Sequence, residues 1–202
     1  MNSQAATLRL AVLPRAGFLA DVLLVVLGAG LVATAAQISV SLPFTPVPIT
    51  GQTFAVVLVG ASLGAIRGTA SLSLYLLVGL VGAPVYADQS HGWEIVKGAT
   101  GGYLVGFVAA AALTGWLAEH RWDRRFSSSV TTMLTGNVVI YLFGLPWLAH
   151  VLPGNPSLED TLEAGLYPFV PGDIFKLYLA GAVLPAAWRL VEHVSPPNDD
   201  VT

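Results

Sequence analysis

Long stretches of this chain carry no charge. No Asp, Glu, Lys or Arg occurs from Val22 to Ile66, from Gly68 to Ala87, from Gly98 to Ala118, or from Phe126 to Leu158. A helix that crosses a bilayer needs about 20 mostly apolar residues, and each window holds at least one. The pattern predicts an all-α integral membrane protein forming a single membrane domain over residues 1–202. Its six transmembrane helices are expected at about 17–37, 52–66, 69–87, 99–118, 128–149 and 171–190. The second is short and the sixth is polar at one end, so both are expected to lean on protein neighbours. Between the first two lies SLPFTPVPITG, with Pro43, Pro46 and Pro48. Proline supplies no helix-interior N–H and pushes its predecessor toward extended geometry. Residues 38–51 are therefore expected to form an ordered, extended connection, too apolar at Leu42, Phe44, Val47 and Ile49 to stand free in water.

Composition supports this reading. Of 202 residues, 54% are hydrophobic and 10% charged, where soluble domains run near a quarter charged. The apolar run from Gly17 is too long for the core of a cleavable signal. The chain has no cysteine, so disulfides and thiolate metal sites are excluded. His91, His120, His150 and His193 lie about thirty or more residues apart, without ligand spacing. No metal site is expected. No basic, aromatic-interleaved stretch suits nucleic acid, and no P-loop pattern is present.

The cations orient the spans. All seven arginines fall at Arg9 and Arg15, at Arg67, at Arg121, Arg124 and Arg125, and at Arg189. With six spans these positions share one side, which the positive-inside rule makes cytoplasmic, with both termini there. The other side carries the only lysines, Lys97 and Lys176, beside Asp88, Glu94, Glu159, Asp160, Glu163 and Asp173. A ligand site is expected on that side.

Asp173 and Lys176 stand three apart in the opening turns of the last span and share a helix face. An ionisable group in a membrane helix costs a few kcal/mol on insertion scales. Either the two form a local pair with Lys176 snorkelling to the interface, or they face the bundle and read a polar ligand. Lysine offers a cation to a carboxylate, and aspartate accepts from N–H donors. An exposed pair is worth at most about 1 kcal/mol, and both lysines lie on the outer side, which favours the ligand. KGATGGYLVGFVAAA sets Gly98, Gly102, Gly106 and Ala110 on one ridge, the small-xxx-small pattern of close helix packing. Its outer end also admits a ligand, with Thr100 and Tyr103 as polar contacts. Ala29 and Ala33, four apart in the first span, serve either internal packing or an outward patch for another membrane subunit. Gln52 belongs near the outer site, and mid-span Asn137 is expected to bond between helices.

Four motifs in order carry a resemblance: PFTPVPITGQTFAVVLVGASLG, GLVGAPVYA, GATGGYLVGFVAAA and PFVPGDIFKLYLA. From about Ala29 to Leu190 the chain resembles the BioY family, the biotin-binding S components of energy-coupling factor (ECF) transporters. The resemblance implies the six-helix S-component fold and a gate at 38–51 over a biotin pocket. It implies a multi-pass protein of the cell membrane that is no enzyme and holds no cofactor. ATP is used only by partners, a transmembrane coupling subunit and two cytoplasmic ATPases, although some members are thought to act alone. The family's G-D-x-x-K motif stands as Gly172, Asp173 and Lys176. It implies that Lys176 holds the biotin carboxylate and Asp173 accepts from the ureido ring, or the reverse through water. Gln52, Thr100 and Tyr103 carry over as further substrate contacts, and Ala29 and Ala33 as contacts to the coupling subunit. Ala99 departs from the proline frequent in that motif. Two alternatives stand beside this reading. One is an S component for another vitamin, such as thiamine, whose cation fits poorly beside Lys176, or riboflavin. The other is an intramembrane hydrolase built on His150, which no GxSG-like turn accompanies.

Overall fold

The computed structural model describes residues 7–13 and 17–194; Arg15, counted above among the cations, lies outside them. In chain order come α1 (Leu8–Val12), α2 (Phe18–Ala36), the short strands β1 (Ser39–Val40) and β2 (Ile49–Thr50), α3 (Gln52–Leu63) and α4 (Ala65–Leu80). After a 3-10 turn at Ala87–Gln89 follow α5 (Trp93–Lys97), α6 (Gly101–Glu119), α7 (Phe126–Val151), α8 (Leu158–Gly165) and α9 (Val170–Val194).

Among the described residues four helices are long and apolar enough to cross a membrane: α2, α6, α7 and the Val170–Val191 part of α9. The second and third expected spans are shorter than the pattern indicated. α3 has 12 residues and α4 has 16, about 18 and 24 Å at 1.5 Å per residue, against a hydrocarbon core of about 30 Å. The uncharged run is interrupted by backbone geometry rather than by polarity. Gly64, at φ +86°, breaks the helix between them, a conformation that side chains with a Cβ disfavour. The freed start of α4 is capped by Glu119, whose carboxylate accepts from Ala65 N–H at 2.9 Å. Gly82, at φ +109°, and Pro84 follow the end of α4.

α6 is the central helix, packed against α3, α4 and α7. The small-residue ridge explains how close α7 comes. A Cβ on Gly102 would lie 2.5 Å from the Phe143 carbonyl oxygen, and one on Gly106 would lie 3.0 Å from Ile140 Cα. Ala110 is fully buried. Pro146 and Pro185 sit inside α7 and α9, where each removes a helix N–H.

The two ends of the bundle differ. At one, the Asp21 carboxylate accepts from Arg9 at 2.6 Å and Arg67 at 2.8 Å, tying α1 and α4 to the start of α2. On the same end Trp188 Nε1–H donates to Asp123 at 2.5 Å, and the Arg124 guanidinium lies 3.6 Å from the centre of the indole. The other end carries the β-hairpin, α5, α8 and the start of α9. The extended connection expected at 38–51 is an antiparallel hairpin pairing Ser39 with Thr50 and Val40 with Ile49.

Two features of the spans bear on what was expected of Ala29, Ala33 and Asn137. Ala29 is only 8% exposed and belongs to the main core, and Ala33 is half-buried against it. The face of α2 turned outward is Leu19, Val22, Leu23, Val26, Leu27 and Leu31, with Gly30 among them. The small side chains let α2 approach α4: a Cβ on neighbouring Gly28 would meet Ser71 Oγ at 2.6 Å. Asn137 is buried, yet its side-chain oxygen finds no hydrogen-bond partner among the described residues.

Candidate functional site

At the hairpin end the helices enclose a cavity of about 410 Å³. Its wall comes from α3, α6, α7 and α9, and its cover from the hairpin, the 86–100 connection and Phe169. All five residues singled out as ligand contacts line it: Gln52, Thr100, Tyr103, Asp173 and Lys176. Residues more than a hundred positions apart in the chain are brought together because the hairpin returns α3 beside α9.

Asp173 and Lys176 face the interior. The aspartate is 6% exposed, and the lysine side chain 13%. Lys176 Nζ donates to Asp173 Oδ1 at 3.3 Å and to Thr53 Oγ1 at 2.9 Å. Tyr141 Oη donates to Asp173 Oδ2. The ammonium thus keeps one of three hydrogens unused, and the carboxylate keeps two of about four lone-pair sites. An ion pair this buried has lost most of its hydration, so its unused donor and acceptors strongly favour a polar partner. Pro171 in the first turn of α9 costs no hydrogen bond, since N–H groups there have no intrahelical acceptor.

The other three residues have their polar atoms engaged within the fold. Gln52 Nε2 donates to Tyr75 Oη at 2.6 Å, and its Oε1 accepts from Thr50 Oγ1 at 2.9 Å. Thr100 Oγ1 donates to the Ile95 carbonyl at 3.3 Å, and Tyr103 Oη to the Gly165 carbonyl at 2.9 Å. They shape the wall and offer remaining lone pairs, while Asp173 and Lys176 are charged and keep unused bonding capacity; Glu94 also lines the cavity.

Side-chain hydrogen bonds fasten the cover. Asp88, in a left-handed conformation at φ 55°, accepts from Ser39 Oγ at 2.5 Å and Ser41 Oγ at 3.0 Å. Thr45 Oγ1 donates to the Ala164 carbonyl of α8 at 2.5 Å. α8 is itself closed by a capping box, in which Asp160 N–H meets Ser157 Oγ at 3.2 Å and Ser157 N–H meets the Asp160 carboxylate at 2.8 Å. The Ser157 hydroxyl, which also donates to that carboxylate, holds the Asp160 pKa below its ordinary value.

Tyr141 and Thr53 are not singled out by the sequence, and Asp88 is placed there only among the outer-side acids. Tyr141 sits in an apolar span, where tyrosine reads as membrane aromatic; its signal was its place opposite an acid on a neighbouring span. Thr53 follows Gln52 with nothing to set it apart. His150, the centre of the hydrolase alternative, is exposed at the end of α7 and does not line the cavity.

Comparisons with known proteins agree with one another. The sequence model of the BioY family matches residues 3–193. A biotin transporter BioY of Rhizobium etli is 37% identical over 149 residues, covering 70% of this chain and 78% of that protein. The biotin transporter BioY of Thermotoga maritima is 34% identical over 144 residues, covering 71% and 82%. A probable biotin transporter BioY of Pyrococcus horikoshii is 38% identical over 156 residues, covering 77% and 88%. Among solved structures, the S component for biotin from an ECF-type ABC transporter superposes with a TM-score of 0.72 at 23% identity, covering 85% of this chain and 92% of that one. That likeness fixes the fold.

Proposed function

The chain belongs to the BioY family, and from that premise we propose that it is the biotin-capturing S component of an ECF-type transporter, a multi-pass protein of the cell membrane and not an enzyme. The observation that carries the reading is the buried Asp173–Lys176 pair, with unused hydrogen-bonding capacity, in the wall of the 410 Å³ cavity. In the proposed topology six segments lie in the membrane, α3 and α4 supported by their neighbours, with both termini on the cytoplasmic side among the arginines. The cavity then opens outward. The hairpin at 38–51 is its gate.

The geometry refines which part of biotin the pair meets. Asp173 and Lys176 are 3.3 Å apart, whereas the ureido ring and carboxylate of extended biotin lie roughly 10 Å apart by standard bond lengths. One end of the ligand therefore meets both residues. A ureido edge offers an N–H donor beside a carbonyl acceptor, which complements an Asp acceptor beside a Lys donor. A carboxylate there would gain Lys176 but lie against Asp173. The pair is assigned to the ureido ring, with Gln52, Thr100 and Tyr103 shaping the wall around the rest of the ligand.

The coupling subunit and two ATPases are proposed as partners on the family's pattern. The surface offered to them is the strip of α2 that carries Ala29, Gly30 and Ala33.

The test is equilibrium binding of labelled biotin to the purified protein, with Lys176→Ala, Asp173→Ala and excess thiamine in parallel. Saturable binding near one per chain, lost in both variants and untouched by thiamine, is expected. A folded sample that ignores biotin but takes up another vitamin overturns the substrate assignment.

A further inference from the structure

The buried carboxylate of the pair is oriented by a hydroxyl from a different helix. Tyr141 of α7 lines the cavity and donates to Asp173 Oδ2, while Lys176 holds Oδ1. A carboxylate turns broadly about its last side-chain torsion when nothing holds it. Here each oxygen has its own fixed partner, so the plane of the group is set and its two unused lone pairs point in defined directions.

The hydroxyl is held in turn. The Tyr141 ring meets Tyr103 edge-on, with centroids 6.2 Å apart and planes at 86°. Tyr103 is anchored by its own bond to the Gly165 carbonyl of α8. Lys176 is likewise steadied by Thr53, so the aspartate sits between two immobilised donors. Preorganisation of this kind raises affinity by removing the ordering that binding would otherwise impose.

We propose that Tyr141 is a positioning residue for ligand recognition: its hydroxyl holds Asp173 in the orientation from which the carboxylate accepts the ligand's N–H. The inference rests on the assignment of Asp173 as ligand acceptor. It adds that α7 takes part in recognition through Asp173, with the phenol oxygen bonded to protein.

Tyr141→Phe keeps the ring and removes only the donor. Its effect on biotin affinity is to be measured in the natural sequence and again in Asp173→Asn. In the natural sequence a loss of roughly tenfold or more is expected, the scale of a hydrogen bond to a charged group. In Asp173→Asn the added change should stay within about twofold, because the group through which Tyr141 acts has been altered. An unchanged affinity in Tyr141→Phe overturns the proposal. So does an equal loss in both backgrounds, which marks a packing role. Should Tyr141→Phe alone not fold, the double variant removes both partners of the bond and is compared with Asp173→Asn, where a further loss has the same meaning. Biotin binding by the natural protein with Tyr141→Phe unaffected sinks this inference alone; no biotin binding by the natural protein sinks the assignment beneath it as well.

Discussion

Replacing the pair by neutral residues, Asp173→Asn with Lys176→Met, separates two modes of recognition that single variants confuse. Each single variant leaves one uncompensated charge in the cavity. At an effective dielectric of about 20, a unit charge roughly 9 Å from a ligand carboxylate contributes about 2 kcal/mol, enough to mimic a lost contact. The double variant removes one positive and one negative charge held 3.3 Å apart, so the distant field barely changes. What it loses is the pair's charge-assisted bonding, about 1.5–3 kcal/mol per bond. Asparagine still accepts one bond, so a loss near 3 kcal/mol is expected, on the order of a hundredfold in Kd at 1.36 kcal/mol per decade. The assay is equilibrium binding of biotin and of its methyl ester to the natural protein and the double variant. If the pair meets the ureido ring, both ligands weaken by the same factor. If the double variant binds the ester as well as the natural protein does while losing biotin, the pair reads the carboxylate and the reasoning is wrong.

Three further outcomes are expected. Gly102→Ala forces a Cβ to 2.5 Å from the Phe143 carbonyl oxygen and 2.4 Å from Trp147 Cβ, an overpacking cost of about 1–3 kcal/mol; a Tm in detergent equal to that of the natural protein refutes the α6–α7 contact. Asp88→Ala frees Ser39 and Ser41 and should speed biotin release roughly fivefold, the scale of one exposed charged contact, with stopped-flow dissociation as the measurement. Burial raises the pKa of Asp123, against the opposing hydrogen bond from Trp188. The folded state then binds the proton more tightly, so stability falls as pH rises from the ordinary carboxylate range through the raised value. Asp123→Asn should raise Tm at pH 7 and give no gain below about pH 3.8, where the carboxyl is protonated in both states; equal Tm shifts across that range count against it.

The sequence made legible whatever departs from lipid solubility. Asp173 and Lys176 stood out because each is costly inside an apolar run, and Gln52 because it follows a proline cluster into a span. Tyr141 stayed hidden because tyrosine carries no penalty there, and its role depends on an acid 32 residues away. The ends of α3 and α4 were misplaced because hydropathy records polarity and is blind to the left-handed backbone at Gly64. Ala29 and Ala33 gave the right spacing for close packing, but small residues look the same whichever neighbour they admit. The hairpin was legible only as extended chain, since its pairing is set by where α2 and α3 end.

The shortness of α4 reaches beyond the protein itself. In the proposed six-segment topology α3 is largely buried, so on that flank the lipid would meet α4, whose Ile66 and Leu77 are exposed. Its roughly 24 Å leaves a deficit of about 6 Å against ordinary hydrocarbon, which neighbouring acyl chains meet by thinning at fractions of a kcal/mol per Å. The bilayer is then pinched on one side of the molecule only. In thin membranes that lateral strain vanishes, and in thick ones it drives short flanks together. Chain length of the host lipid becomes a variable that sets how these molecules distribute and cluster in the membrane plane.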